Sequence, residues 1–176
     1  MALDSSLVRV AVTGGIYANL DGGGTAPTNA SSTLGAEFDE LGYLTDAGVV
    51  MSISSDTQQI TAWQNADNVR TIQTSHDVTF QFSLLETNEH TMRAFFGNYD
   101  DGHVEVDGRV LPRMPWVLDV LDGDKKIRVV IPEGQITERG DVSMVNGDAM
   151  SYPITLTAYP VDGVKAHLYI ADTASS

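Results

Sequence analysis

Asp77-Val-Thr-Phe-Gln-Phe-Ser-Leu84 alternates without a break: Val78, Phe80, Phe82 and Leu84 are apolar, while Asp77, Thr79, Gln81 and Ser83 are polar. Successive side chains of a strand point to opposite faces, so this stretch predicts a strand with one buried and one wetted face. Residues 151–159 repeat the pattern, with Ile154, Leu156 and Ala158 set against Thr155 and Thr157. Strands of this kind belong to an antiparallel sheet that covers one core. Further strands are expected at 116–121 and 125–131, joined at Asp122-Gly-Asp124. Asp107-Gly108, Asn146-Gly147 and Asp162-Gly163 supply the positive φ angles that tight turns require.

One segment reads as helix. Thr87-Asn-Glu-His-Thr-Met-Arg-Ala-Phe-Phe96 offers Thr87 or Asn88 as N-cap, Glu89 in the first turn and Gly97 as the stop. Met92, Phe95 and Phe96 fall on one side, and so short a helix must dock on a sheet to persist. The expected fold is therefore mainly β, an antiparallel sandwich or rolled sheet with one short flanking α-helix, in a single domain over 1–176. Two segments break the pattern. The Gly/Ser/Thr-rich stretch at about 20–36 reads as a flexible loop. Residues 46–67 read as a second, long loop, an excursion carrying Val49, Val50, Met51, Ile53, Ile60 and Trp63, too many apolar residues for an ordinary solvated one.

Composition narrows the function. Twenty-four acidic residues against ten basic ones give a net charge of −14, a surface that repels phosphate and argues against a grip on nucleic acid through counterion release. Without cysteine there are no disulfides, thiolate metal sites or thiol nucleophiles, which suits a reducing cytoplasm. No apolar run approaches the roughly 18 residues a membrane helix needs, and the first residues lack a basic, apolar leader.

Catalytic patterns are missing. His76, His90, His103 and His167 are scattered, and Glu86-Thr-Asn-Glu-His90 lacks the second histidine of a helical metal pair. Asp100-Asp-Gly-His103 and Asp119-Val-Leu-Asp-Gly-Asp124 lack the spacing of a calcium loop. Gly22-Gly-Gly24 is followed by no lysine, and no serine sits in a nucleophile elbow. Asp39 and Glu40 are a chance pair in so acidic a chain. The reading is of a protein that is not an enzyme and needs no metal or cofactor. Trp63, Trp116 and Tyr43 leave open a sugar-stacking platform, although Trp116 alternates with Leu118 and Val120 as a core residue would.

The run from 37 to 97 carries a more specific signal. It begins Glu37-Phe-Asp-Glu-Leu-Gly-Tyr-Leu-Thr-Asp-Ala-Gly-Val, passes Ile60-Thr-Ala-Trp63 and Val69-Arg-Thr71, and reaches Leu84-Leu-Glu86 before the helix and its Phe-Phe-Gly97 end. In order and spacing it resembles the major tail proteins of long-tailed, siphovirus-type bacteriophages. Leu156-Thr-Ala-Tyr-Pro160 extends the likeness. The Gly/Ser/Thr-rich insertion departs from it, and the immunoglobulin-like surface domain that some members append is not expected here.

The resemblance implies a virion protein, made and assembled in the host bacterial cytoplasm, whose hexameric rings stack into a tail tube through which DNA is ejected. Its partners would be copies of itself, the tape measure, terminator and distal tail proteins, and DNA in transit, with no membrane. On this reading the 46–67 excursion joins rings through Val49, Val50, Ile53, Ile60 and Trp63. The wet sheet face, with Asp77, Thr79, Gln81, Asp119, Thr155 and Thr157, lines a carboxylate-rich lumen. Arg128 on that face runs against a purely anionic channel. The alternatives are another ring-forming tail component, such as a terminator or distal tail protein, and a β-sandwich carbohydrate-binding module.

Overall fold

The computed structural model describes residues 3–23 and 25–172, so Gly24 of the triglycine run lies outside the described residues, as do both chain ends. The chain is mainly β. Its elements are β1 (Thr13–Ala18), β2 (Asp39–Glu40), β3 (Val50–Ser54), β4 (Thr57–Thr61), β5 (Asn68–Gln73), β6 (Asp77–Leu84), α1 (Glu89–Phe96), β7 (Met114–Asp122), β8 (Lys125–Arg139), β9 (Tyr152–Tyr159) and β10 (His167–Asp172). The main sheet runs β2-β1-β7-β8-β9-β6-β3, and β10 joins it on β8. β8 is long enough to be shared, its first half pairing with β10 and its second half with β9. All of these pairings are antiparallel.

Alternation in β6 and β9 puts Val78, Phe80, Phe82, Leu84, Ile154, Leu156 and Ala158 on one face, where they are buried with Ile16, Trp116 and Ile131. Trp116 is fully buried, and its indole N–H donates to the Gly134 carbonyl at 3.2 Å. A Cβ at Gly134 would lie 2.6 Å from the Trp116 ring, which explains a glycine in the middle of β8. α1 closes the core with Met92, Ala94 and Phe95, and the Phe95 ring meets Tyr152 edge-on at 5.4 Å. Asn88 is the N-cap, its side-chain oxygen accepting from the Thr91 N–H at 2.8 Å, and Gly97 ends the helix at φ 84°. Thr91 also donates to the Leu41 carbonyl at 2.9 Å, which pins the helix to the chain before β3.

The 37–97 run is held together by these contacts. Leu41 is core, Gly42 turns at φ 90°, and the Tyr43 N–H donates to the Glu86 carboxylate at 2.9 Å. Glu86 thus ties the Leu-Gly-Tyr segment to the end of β6.

Two expectations need correction. The 46–67 excursion is not a loop: it contributes β3, which pairs with β6, and β4, which pairs with β5 in a separate two-stranded sheet. The strand expected at 125–131 continues to Arg139, because a register shift between Ile136 and Glu138 lets it bend and stay paired with β9.

Candidate assembly surfaces

The face of the sheet turned away from the core divides into a covered half and an open half. Where β1, β7 and the first half of β8 adjoin, Tyr17, Val117, Asp119, Arg128 and Val130 share that face. Residues 26–38 lie across it, with Ala26, Leu34 and Phe38 packed on Val117 and Val130. Arg128 is the fastener. Its Nε and Nη2 donate to the two Asp119 oxygens at 2.6 and 2.8 Å, and its Nη1 donates to the Ser32 carbonyl at 2.6 Å and the Asn29 carbonyl at 3.4 Å. Lys126 adds a second cation 2.8 Å from Asp119. With Arg128 only 2% exposed, this is a buried, bidentate pair in which every charged group has partners.

Residues 26–36 of the expected flexible loop are therefore a seated strap. Asn29 shapes it locally, its side-chain oxygen accepting from the Ser31 and Ser32 N–H groups. Asp119 is corrected with it. At 8% exposure it lies beneath the strap with a charge balanced by Arg128 and Lys126, so it presents no carboxylate to a channel. The same pairing removes the difficulty posed by Arg128. Burial, followed by the Glu40 and Asp119 carboxylates, raises the neighbouring Tyr17 phenol above its ordinary 10.0, against the opposing pull of Arg128.

The open half is formed by β3, β6, β9 and the second half of β8. Thr79, Thr157 and Gln135 stand in one cross-strand row, and Gln81 faces Thr155 in the next. The Thr137 and Thr157 hydroxyls are 2.8 Å apart, in hydrogen-bond contact. Asp77 lies at the end of β6 on this face, 3.3 Å from the Lys165 ammonium. Of the six residues expected to share a wet face, Asp77, Thr79, Gln81, Thr155 and Thr157 are brought together, and Asp119 is separated from them by the strap.

The five apolar residues of the excursion do not form a single patch. Val49 is half-buried against the core. Val50 faces Gln81 on the open half, whereas Ile53 faces Val78 on the core side, where the sheet edge leaves it 62% exposed. Ile60 sits on β4 opposite Arg70, and Trp63, in the turn between β4 and β5, is 97% exposed. Asn65 and Ala66 both take positive φ in that turn. The β4–β5 hairpin forms an arm, and its base is a knot of polar bonds. Asp56 accepts from the Thr74 and Ser75 backbone and from the Ser75 hydroxyl, and Ser55 bonds His76 at 3.0 Å. Beside β3, Met51, Ile53, Val78, Val164 and Leu168 line an apolar groove that the sequence did not announce, since Val164 and Leu168 are more than a hundred residues from Met51.

The other sequence candidates have structural roles. Trp116 is buried and Trp63 stands far out on the arm, so the imagined sugar platform is not assembled. Asp100 and His103 close a tight turn through two mutual backbone bonds of 2.9 Å. Among the described residues, no three His, Asp or Glu side chains converge as a metal set.

Comparison with known proteins agrees with this architecture. Similar solved structures include the tube-terminating cap of the anti-feeding prophage, at TM-score 0.54 and 11% identity over 97% of this chain and 95% of that one. The tail of an empty gene transfer agent particle is similar at TM-score 0.48 and 14% identity, over 98% of this chain and all of that one. An Hcp protein is similar at TM-score 0.31 and 11% identity, over 90% and 98%. At these identities the likeness to the cap speaks for the fold alone. No curated protein matches the chain. The family model for phage tail tube proteins matches residues 1–176, and the chain belongs to that family.

Proposed function

We propose that copies of this chain close into rings, six to a ring as the sequence resemblance implies, and that the rings stack into a conduit for DNA during ejection. Membership of the family makes the chain a structural component of a phage tail tube. The observation that carries the finer reading is the division of one sheet face, with four adjacent strands left bare and, apart from Val50 on the β3 edge, largely polar while the strap covers their neighbours. A surface built to meet water or DNA has no need of a cover, and the bare half has the row of polar side chains such a lining requires. Six copies giving four strands each, at about 4.8 Å per strand, make a perimeter of roughly 115 Å and a backbone diameter of roughly 37 Å before tilt. That leaves room for a duplex once side chains are subtracted.

In this reading Thr79, Gln81, Thr155 and Thr157 line the lumen, with Asp77 at its margin. The arm of β4 and β5 joins one ring to the next through Ile60 and Trp63, and Val50 and Ile53 meet the neighbouring copy at the β3 edge. Exposed apolar groups on a projecting hairpin suit burial in an interface, where tryptophan is a frequent anchor. The chain works as a building block without catalysis, cofactor or metal, its further contacts being with the other tail proteins, and it is made and assembled in the host cytoplasm.

Electron microscopy of the purified protein tests the proposal. Long tubes with a regular axial repeat are expected, and removal of residues 57–73 should leave a folded subunit that no longer polymerises. Single closed rings from the intact chain would point to a terminator, and tubes from the shortened chain would reject the role given to the arm.

A further inference from the structure

We infer that the strand face offered to DNA is nearly neutral, so that a duplex passes over hydroxyls and amides and is not held off by carboxylates; this rests on the reading that this face lines the conduit. The acidic composition suggests the opposite, and the distribution of charge decides between them. Three carboxylates stand on the open half, Asp77, Glu133 and Glu138. Asp77 is paired with Lys165 at 3.3 Å and Glu133 with Arg113 at 3.5 Å, and the Arg113 guanidinium is further held 3.6 Å above the Tyr159 ring. Glu138 has no ion pair among the described residues. Three carboxylates less two counter-cations leave one net negative charge on this face, against −14 for the whole chain.

Between those positions the face is uncharged. Thr79, Thr157 and Gln135 form one row and Gln81 and Thr155 the next, with the Thr137 and Thr157 hydroxyls bonded to each other. Among the described residues, Lys165 and Arg113 are committed to carboxylates, and Arg139 at the end of β8 stands opposite Ile154 and donates to the Phe95 carbonyl of α1, so no free ammonium or guanidinium stands on the face to hold a phosphate and release counterions. One carboxylate per copy, screened over about 8 Å at physiological salt, is also a weak source of repulsion. What remains is a surface that neither binds nor expels the duplex.

The test compares ejection rates from particles assembled with variant subunits, each first shown by electron microscopy to form normal tails. Glu138→Gln removes the net charge, and the rate is expected to stay within twofold of the parent. Thr157→Lys added to Glu138→Gln gives the face a cation with no unpaired carboxylate beside it in every copy, and ejection is expected to slow at least tenfold at low salt and to recover as salt is raised. Gln81→Lys in the next row, likewise added to Glu138→Gln, should behave alike and serves if the first lysine variant does not assemble. A severalfold slowing by Glu138→Gln would overturn the neutral face while leaving the lumen assignment standing. Unchanged ejection from well-formed tails carrying either lysine would overturn the lumen assignment and this inference with it.

Discussion

Replacing Asp119 by alanine strands the most deeply buried cation among the described residues. Arg128 would keep its bonds to the Ser32 and Asn29 carbonyls of the strap and lose both contacts to the Asp119 carboxylate, at 2% exposure. Removing one partner of a buried pair costs about 3–5 kcal/mol, because the remaining charge is left without compensation. Asp119→Ala belongs at the upper end of that range. Arg128→Met belongs at the lower end, since Lys126, 2.8 Å from Asp119 and partly exposed, still neutralises the carboxylate. For a chain of 176 residues each kcal/mol moves Tm by about 2–4 °C, so the two variants should melt roughly 6–20 °C below the parent. The double variant Asp119→Leu with Arg128→Met should regain most of that loss, because the pair under the strap is then apolar and the one charge left beside it, Lys126, is partly exposed and can turn to water. Calorimetry at a concentration where the subunit is monomeric is the assay, since assembly would mask the effect. Limited proteolysis should show new cleavage within 26–36 in Asp119→Ala. A fall in Tm of less than about 3 °C in that variant, with no new cleavage, would refute the claim that the strap seals this pair.

Three further outcomes follow from the same contacts. Gly134→Ala would press a methyl group to 2.6 Å from the Trp116 ring and should cost about 1–3 kcal/mol, read as a lower midpoint in urea with an unchanged slope. Tyr17 has a folded pKa above its unfolded 10.0, so the stability it contributes is whole below pH 10.0 and is lost as pH climbs through the folded value; Tyr17→Phe should flatten that alkaline loss and remove a late component of the phenolate absorbance. Trp63, at 97% exposure, should fluoresce as a water-exposed indole in the free subunit and shift to the blue on polymerisation, and an unshifted spectrum in tubes would remove it from the ring contacts.

The parts of the fold legible in the sequence were those with one covered face. β6 and β9 alternate strictly because their outer sides are bare, so period two survives in their residues. In β8, Arg128, Val129, Val130 and Ile131 are all buried, because core and strap cover both sides, and alternation disappears there. β1 was hidden by Gly14 and Gly15, poor strand formers by propensity. A Cβ at Gly14 would come within 2.4 Å of the Asp119 carbonyl, so close backbone approach, and not strand preference, selects that residue. The strap was misread because glycine, serine and threonine describe a linker as well as they describe a cover. The missed signal was Arg128 inside the apolar run Ile127-Arg-Val-Val-Ile131, since a charge there needs a buried partner. The arm was half legible: its exposed apolar residues were named, but the pairing of β4 with β5 was not, and neither was the groove beside β3.

The claim at the centre of this account is that the bare half of the sheet faces inward and the strap does not. Helical reconstruction of assembled tubes, at a resolution that separates strands, tests it most directly. Thr79, Gln81, Thr155 and Thr157 are expected on the lumen wall, with the 26–38 strap outside it. A wall formed by the strap, or one on which the polar rows of β6 and β9 are buried between copies, would contradict it.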